Sequence, residues 1–303
     1  METAVARKFA APDRRPRAAG APLGPGSVLW RIAGDGRGLM TGTSAGVLQL
    51  LHPGLGAGVT EHSAFFTEPW ARIIRSIPQI WGTIFAPDDG DGDRRGRAIR
   101  DLHPDIKGVD HQGRRYHALD PDVFWWAHAT FTWEFLRAAE LFFPLPLTRA
   151  EKEQLYSESV TWYRRYGVSD RPVPVDLAAF EARFAEICAH ELELTPAADW
   201  VLHPPETAPE LPEAPLPLPL RPAQPVVTWL RGENLRLVTL GALPDVVRRR
   251  FAIPWSTRDR VAFAGTALAF RSIGATVGPR AFDVFFPPGT PKPDRRPARG
   301  SAT

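Results

Sequence analysis

The 303-residue chain has one cysteine, Cys188, which excludes an intramolecular disulfide, a cysteine-cluster metal site and the C-x-x-C-H motif of covalent haem attachment. Lysine is almost missing: Lys8, Lys107, Lys152 and Lys292 are the whole set, so the basic side of the +3 formal charge is arginine. So small an excess lacks the electrostatic footprint of a nucleic-acid-binding protein. No apolar run of signal-peptide length follows Arg14 and Arg15 before Gly34 and Gly36, and a cytoplasmic location is expected. The longest hydrophobic region, Val123 to Leu147, is broken by His128, Glu134, Arg137 and Glu140, which predicts a core helix and no transmembrane segment. Alternation of strand period is confined to a possible short pair near Gln112 to Tyr116. The G-x-S-x-G, H-E-x-x-H, P-loop and paired E-x-x-H motifs are missing, which removes most of the support for a hydrolase, a zincin, a nucleotide triphosphatase or an ordinary di-iron bundle.

What is present reads as helix. Residues 1–26 and 287–303 are rich in Ala, Pro, Gly and Arg without periodicity and are expected to be disordered tails. Between them, residues 27–286 predict a mainly α fold in a single helical domain. Helical segments are expected at Thr43 to Leu51, Ala57 to Phe66, Pro69 to Ile84, Pro121 to Leu141, Arg149 to Tyr166 and Leu177 to Leu194. A charged stretch runs from Asp91 to Lys107, and a proline-dense connector, 196–225, is expected to drape over the helices or to hinge two halves. Helices resume at Val226 to Leu240, Pro244 to Phe251 and Thr257 to Ala275. Arginine, alanine and proline enrichment fits a GC-rich bacterial genome, and arginines also suit carboxylates such as haem propionates.

The chemistry-bearing residues are histidines and arginines. Asp120 and Pro121 supply the N-cap and first turn of a helix in which Phe124, Trp125, Phe131 and Thr132 share a face with His128. A neutral imidazole in that setting is either a core histidine with satisfied nitrogens or a ligand for haem iron or another borderline metal. His52 falls at a helix end, stopped by Pro53 and Gly54. Beyond the glycine-rich Gly54, Gly56 and Gly58, His62 is a candidate for the same cavity as His128, with capping of a loop as the alternative. Arg72 and Ser76, four apart, share a helical face and suit an anion, dioxygen or a substrate carbonyl. The run Asp88 to Asp93 imitates a calcium loop but has Ile99 at the twelfth position, so a solvated acidic loop is expected. His103, His111 and His117 lie in the polar stretch before the His128 helix, as candidates for a cavity mouth, and Cys188 reads as a small buried hydrophobe.

Seven motifs in order carry a resemblance. They are L-L-H-P (Leu50 to Pro53), G-V-x-E-H-S (Gly58 to Ser63), E-P-x-x-R-x-x-R-S (Glu68 to Ser76), A-L-D-P (Ala118 to Pro121), W-A-H-A-T (Trp126 to Thr130), L-R-L-V-T-L-G-A-L-P (Leu235 to Pro244) and F-A-I-P-W-S (Phe251 to Ser256). Over about residues 35 to 285 the chain resembles the MpaB and rubber-oxygenase catalytic-domain family. Members include latex clearing proteins, which cleave double bonds of polyisoprene with haem b and dioxygen, and a fungal oxygenase that cleaves a farnesyl side chain. The resemblance implies a non-covalent haem b and an oxygenase acting on an apolar substrate, here expected to be smaller than polyisoprene. It implies His128 as proximal ligand, with Arg72 and Ser76 matching an arginine and a threonine beside the haem. His62, with His52 or His103 behind it, is then the candidate distal base or sixth ligand. The competing readings are a non-catalytic helical carrier of haem or of an apolar ligand, and a non-haem iron enzyme using His62, His128 and Glu61 or Glu134.

Overall fold

The computed structural model describes residues 23–87, 89–212 and 218–292. Its helices are α1 (Val28–Ala33), α2 (Gly42–Leu50), α3 (Pro53–His62), α4 (Pro69–Ile84), α5 (Asp89–Arg100), α6 (Pro121–Phe142), α7 (Arg149–Arg164), α8 (Leu177–His190), α9 (Pro196–Leu202), α10 (Gln224–Ala242), α11 (Asp245–Arg250) and α12 (Thr257–Thr276). Among the described residues the only strands are β1 (Lys107–Val109) and β2 (Arg115–His117), an antiparallel pair in which Gly108 faces Tyr116. The mainly α single domain expected from the sequence is what the chain forms.

The 22-residue α6 is the axis of the fold and packs against α2, α7 and α12. Asp120 caps it, its side chain accepting from the Asp122 N–H, and Pro121 occupies the first turn. Tryptophans tie helices together through their single donor as well as their area. Trp126 donates to the Leu48 carbonyl (3.0 Å), Trp81 to that of Ala33 (2.9 Å) and Trp162 to the Thr83 hydroxyl (2.7 Å). The α7 N-terminus is a capping box, Thr148 with Glu151, and Glu151 also holds Arg31 of α1 at 2.7 Å. Cys188 is fully buried on α8, where desolvation pushes its thiol up to about 12, as a small core hydrophobe requires.

Several expectations are corrected. The helix expected at Ala57 to Phe66 runs instead from Pro53 to His62, so Gly54 and Gly56 join Gly58 in α3, where the missing side chains let it approach its neighbours: a Cβ on Gly56 would lie 2.4 Å from the Thr195 hydroxyl and 2.5 Å from the Leu50 carbonyl. His52, just past the Leu51 C-cap of α2, stands as the N-cap residue of α3. The acidic run is the first turn of α5, where Asp89 and Asp91 meet the positive end of the helix dipole and Asp91 bonds Arg94 and Arg95; Asp88 lies outside the described residues. The connector begins as helix α9, capped by Thr195, and its residues 213–217 lie outside the described ones. Of the expected tails, 1–22 and 293–303 also lie outside, whereas Leu23 is buried and 287–292 are placed.

Candidate functional site

His128 is 5% exposed and is held by α7: its Nε2 lies 2.9 Å from the Ser159 hydroxyl and 3.0 Å from the Ser159 carbonyl. Thr132, one turn on, closes the network at 2.5 Å from the Ser159 hydroxyl. Nδ1 has no partner. The rings of Trp162 (4.5 Å), Tyr163 (5.1 Å) and Tyr166 (6.0 Å) surround the imidazole, and desolvation drives its pKa down to about 3, so it is neutral. The cavity it lines, with Trp125, Tyr156 and Phe180, measures about 10 Å³, room for one water. Small-molecule sites run to several hundred Å³. The α6–α7 interface, as packed, leaves no space for a porphyrin at this histidine.

A different end of the molecule gathers the other candidates. The α4 and α5 helices pack together through the short link 85–88, so the chain reverses, and the Arg95 guanidinium reaches within 3.2 Å of a Cβ placed on Gly82. Arg72 and Ser76 precede that contact on α4 and His103 follows it after α5, so on the reversed chain all three lie on the side of the contact away from the link. Arg72 is half-buried and has no carboxylate partner among the described residues; its guanidinium stands 5.9 Å from the Phe65 ring centre, and burial lowers its pKa. An unpaired interior cation is costly and is stabilised by an incoming negative charge. Phe65 and Phe66 lie edge-on to Trp200 of α9 at 5.4 and 5.8 Å, walling this end with aromatic rings. The Ser76 hydroxyl donates to the Arg72 carbonyl (2.9 Å) within the helix. Pro78 withholds the N–H that Ile74 would receive, loosening α4 at the turn that carries both residues.

His103 is the residue whose geometry sequence reading underrated. Its Nδ1 lies 2.8 Å from the Ile99 carbonyl one turn back, which fixes the proton on Nδ1 and leaves Nε2 as a free lone pair. Anchoring of one ring nitrogen on a carbonyl is the usual support of a metal-binding histidine. Among the described histidines it alone is anchored to a main-chain carbonyl through Nδ1. Its ring stands edge-on to Phe124 of α6 at 6.0 Å, and Phe124 in turn touches Tyr166 at 5.3 Å, so the aromatic wall inferred around His128 has His103 on its far side. The H-P-D that follows the charged helix was the available signal, but only the helical turn from Ile99 to His103 creates the bond.

His62 is not brought to His128. It is exposed at the end of α3, 3.3 Å from the Lys107 carbonyl and edge-on to Tyr116, while Glu61 accepts from the Tyr116 hydroxyl at 2.5 Å. Neither shares a partner with His128. The four-residue set His62, His128, Glu61 and Glu134 is therefore spread over the fold, and among the described residues no three His, Cys, Asp or Glu side chains converge. His52, stacked on Trp126 at 6.2 Å, is buried with an unpartnered Nδ1, and desolvation lowers its pKa to about 4. His111 and His117 lie on the hairpin, His117 3.1 Å from the Pro104 carbonyl.

Residues 30–272, most of the chain and all of the elements just described from α2 to α11, match the family model for the ER-bound oxygenase mpaB/B' and rubber oxygenase catalytic domain. No curated protein matches, and no solved structure does.

Proposed function

The chain belongs to this oxygenase family, and from that premise we propose that it is a haem-b-dependent oxygenase that opens a carbon–carbon double bond of a small, apolar, isoprenoid-like molecule with dioxygen. The observation that carries the reading is the His103 imidazole, whose Nδ1 is committed to the Ile99 carbonyl and whose ring stands against Phe124, on the same side of the α4–α5 contact as Arg72, a half-buried guanidinium beside Phe65 with no ion pair among the described residues. His103 fits the iron ligand better than His128, whose Nε2 is already on Ser159 and whose cavity admits one water. For His128 to serve, α6 and α7 would have to part.

Haem b, when bound, supplies a redox-active iron centre for dioxygen chemistry. The chain's own residues prepare the surroundings. Ile99 keeps the His103 proton on Nδ1. Arg72, half-buried beside Phe65, would offer N–H donors to negative charge that develops on reduced oxygen. Ser76 spends its proton on the Arg72 carbonyl, so toward the site its oxygen accepts. Phe65, Phe66, Trp200 and Phe124 exclude water and offer apolar area to an alkene.

Oxygen uptake by the haem-loaded protein, supplied with isoprenoid alkenes, tests the proposal. Uptake tied to carbonyl products is expected, and Arg72→Ala should lower the turnover rate roughly a hundredfold at unchanged haem content. Haem retention without uptake on any alkene would make the protein a carrier. Full turnover in Arg72→Ala would remove Arg72 from the chemistry.

A further inference from the structure

The outward face of α12 lacks what a solvated helix face carries. A surface helix turns charged and polar residues to water. Here every exposed position from 261 to 276 except Arg271 is Val, Ala, Gly, Leu, Ile, Ser or Thr. The larger side chains are far out: Val261 is 69% exposed, Leu268 64% and Val277 69%, and the turn that follows adds Val284 at 82%. The inward stripe, Phe263, Ala267 and Phe270, is already spent against α6 and α10, so this face is a second apolar surface with no partner among the described residues.

Its border is positive. From 257 to 292 the exposed cations Arg258, Arg260, Arg271, Arg280 and Lys292 stand against two carboxylates, and both are taken: Asp259 by Arg236 at 2.6 Å and Asp283 by Lys292 at 3.9 Å. Arg271 also pins the helix down, donating to the Leu141 and Glu140 carbonyls at 2.8 and 2.6 Å, so the face is held outward. We propose that the α12 face, with the Val284 turn, is a peripheral docking surface for an anionic lipid bilayer. Apolar side chains entering the headgroup boundary under an arginine rim match the chemistry of interfacial helices. A second copy fits less well, because a two-fold contact would set this arginine rim against itself. At 20 residues α12 is about 30 Å long, enough to lie along a membrane surface, and no described helix is long and apolar enough to cross one. The docking stands independently of the proposed activity.

Co-sedimentation of the full chain with vesicles tests this. Vesicles of equal parts phosphatidylcholine and phosphatidylglycerol should pull the protein down, phosphatidylcholine alone should do so poorly, and salt should release it. Leu268→Glu should lower partitioning on the order of tenfold or more, and Arg258→Glu and Arg260→Glu roughly fivefold or more each. Val175→Glu, an exposed apolar position ahead of α8, should leave it unchanged. Circular dichroism confirms that each variant is folded. Failure of the folded wild type to bind anionic vesicles, or binding indifferent to Leu268→Glu, overturns the proposal. A dimer in sedimentation equilibrium that Leu268→Glu dissociates would give the face to a second copy and overturn it equally.

Discussion

Two buried groups on α6 respond to pH with opposite sign. An unfolded chain binds a proton at His128 as pH falls below about 6.5, whereas the folded imidazole refuses it until about 3. The fold therefore loses stability across that window, at no more than about 1.4 kcal/mol per pH unit from this group. His52, depressed to about 4, acts in the same direction. Replacing His128 by Leu should flatten the fall of the urea midpoint between neutral pH and about pH 4, and an unchanged slope would contradict the burial argument. Glu134 is the reverse case: both carboxyl oxygens are buried without a hydrogen bond, and desolvation raises its pKa well above the usual range. The unfolded chain releases this proton as pH rises, while the folded chain keeps it, so the residue costs stability at neutral pH. Glu134→Gln should stabilise the protein by about 1 kcal/mol or more at pH 7 and by little at pH 4. Thermal melts at the two pH values check it, and destabilisation at pH 7 would mean that the carboxylate has a partner when the protein works.

Residue by residue, sequence reading saw the types and missed the partners. The imidazole of His128 was expected to be buried and neutral, and it is, yet Ser159, 31 positions away, decides what its Nε2 can do. Arg37 passed unnoticed in a glycine-rich stretch. It is buried, bidentate on Asp35, and lies 4.3 and 4.7 Å from the rings of Phe143 and Phe282, a set that comes together only when the chain is closed.

At the scale of elements, apolar period located α4, α6, α7 and α12 closely, and Asp120 caps α6 as the sequence suggests; the caps of α7 and α12, Thr148 and Ser256, emerge from the structure. Elements specified by contact were harder to read. Gly54 and Gly56 fall before the helix expected from Ala57 onward, and only Thr195 and the Leu50 carbonyl show why no larger residue fits at Gly56. Gly56→Ala should accordingly cost about 1–3 kcal/mol by forcing α3 from α2 and α9. Gly46→Ala in α2, where a Cβ would meet nothing within 4 Å, should stabilise by up to about 1 kcal/mol. Urea unfolding of the two variants separates packing from propensity, and equal effects of one sign would refute the distinction.

At the scale of the whole molecule, the ordered motifs pointed to the right family, and the fold distributes them unevenly. The W-A-H-A-T helix forms the packed axis, while the E-P-x-x-R-x-x-R-S helix stands with α5 at the edge of that core. A motif match alone does not distinguish a histidine that holds helices together from one whose lone pair is free. The distinction depends on the Ile99 carbonyl in one case and Ser159 in the other. The absorption spectrum of the protein reconstituted with haem b decides it most directly. A Soret band is expected in the wild type and in His128→Gln, and its loss in His103→Ala with helical circular dichroism intact. A band kept in His103→Ala and lost in folded His128→Gln would return the iron to His128, and no band in the wild type would contradict haem dependence itself.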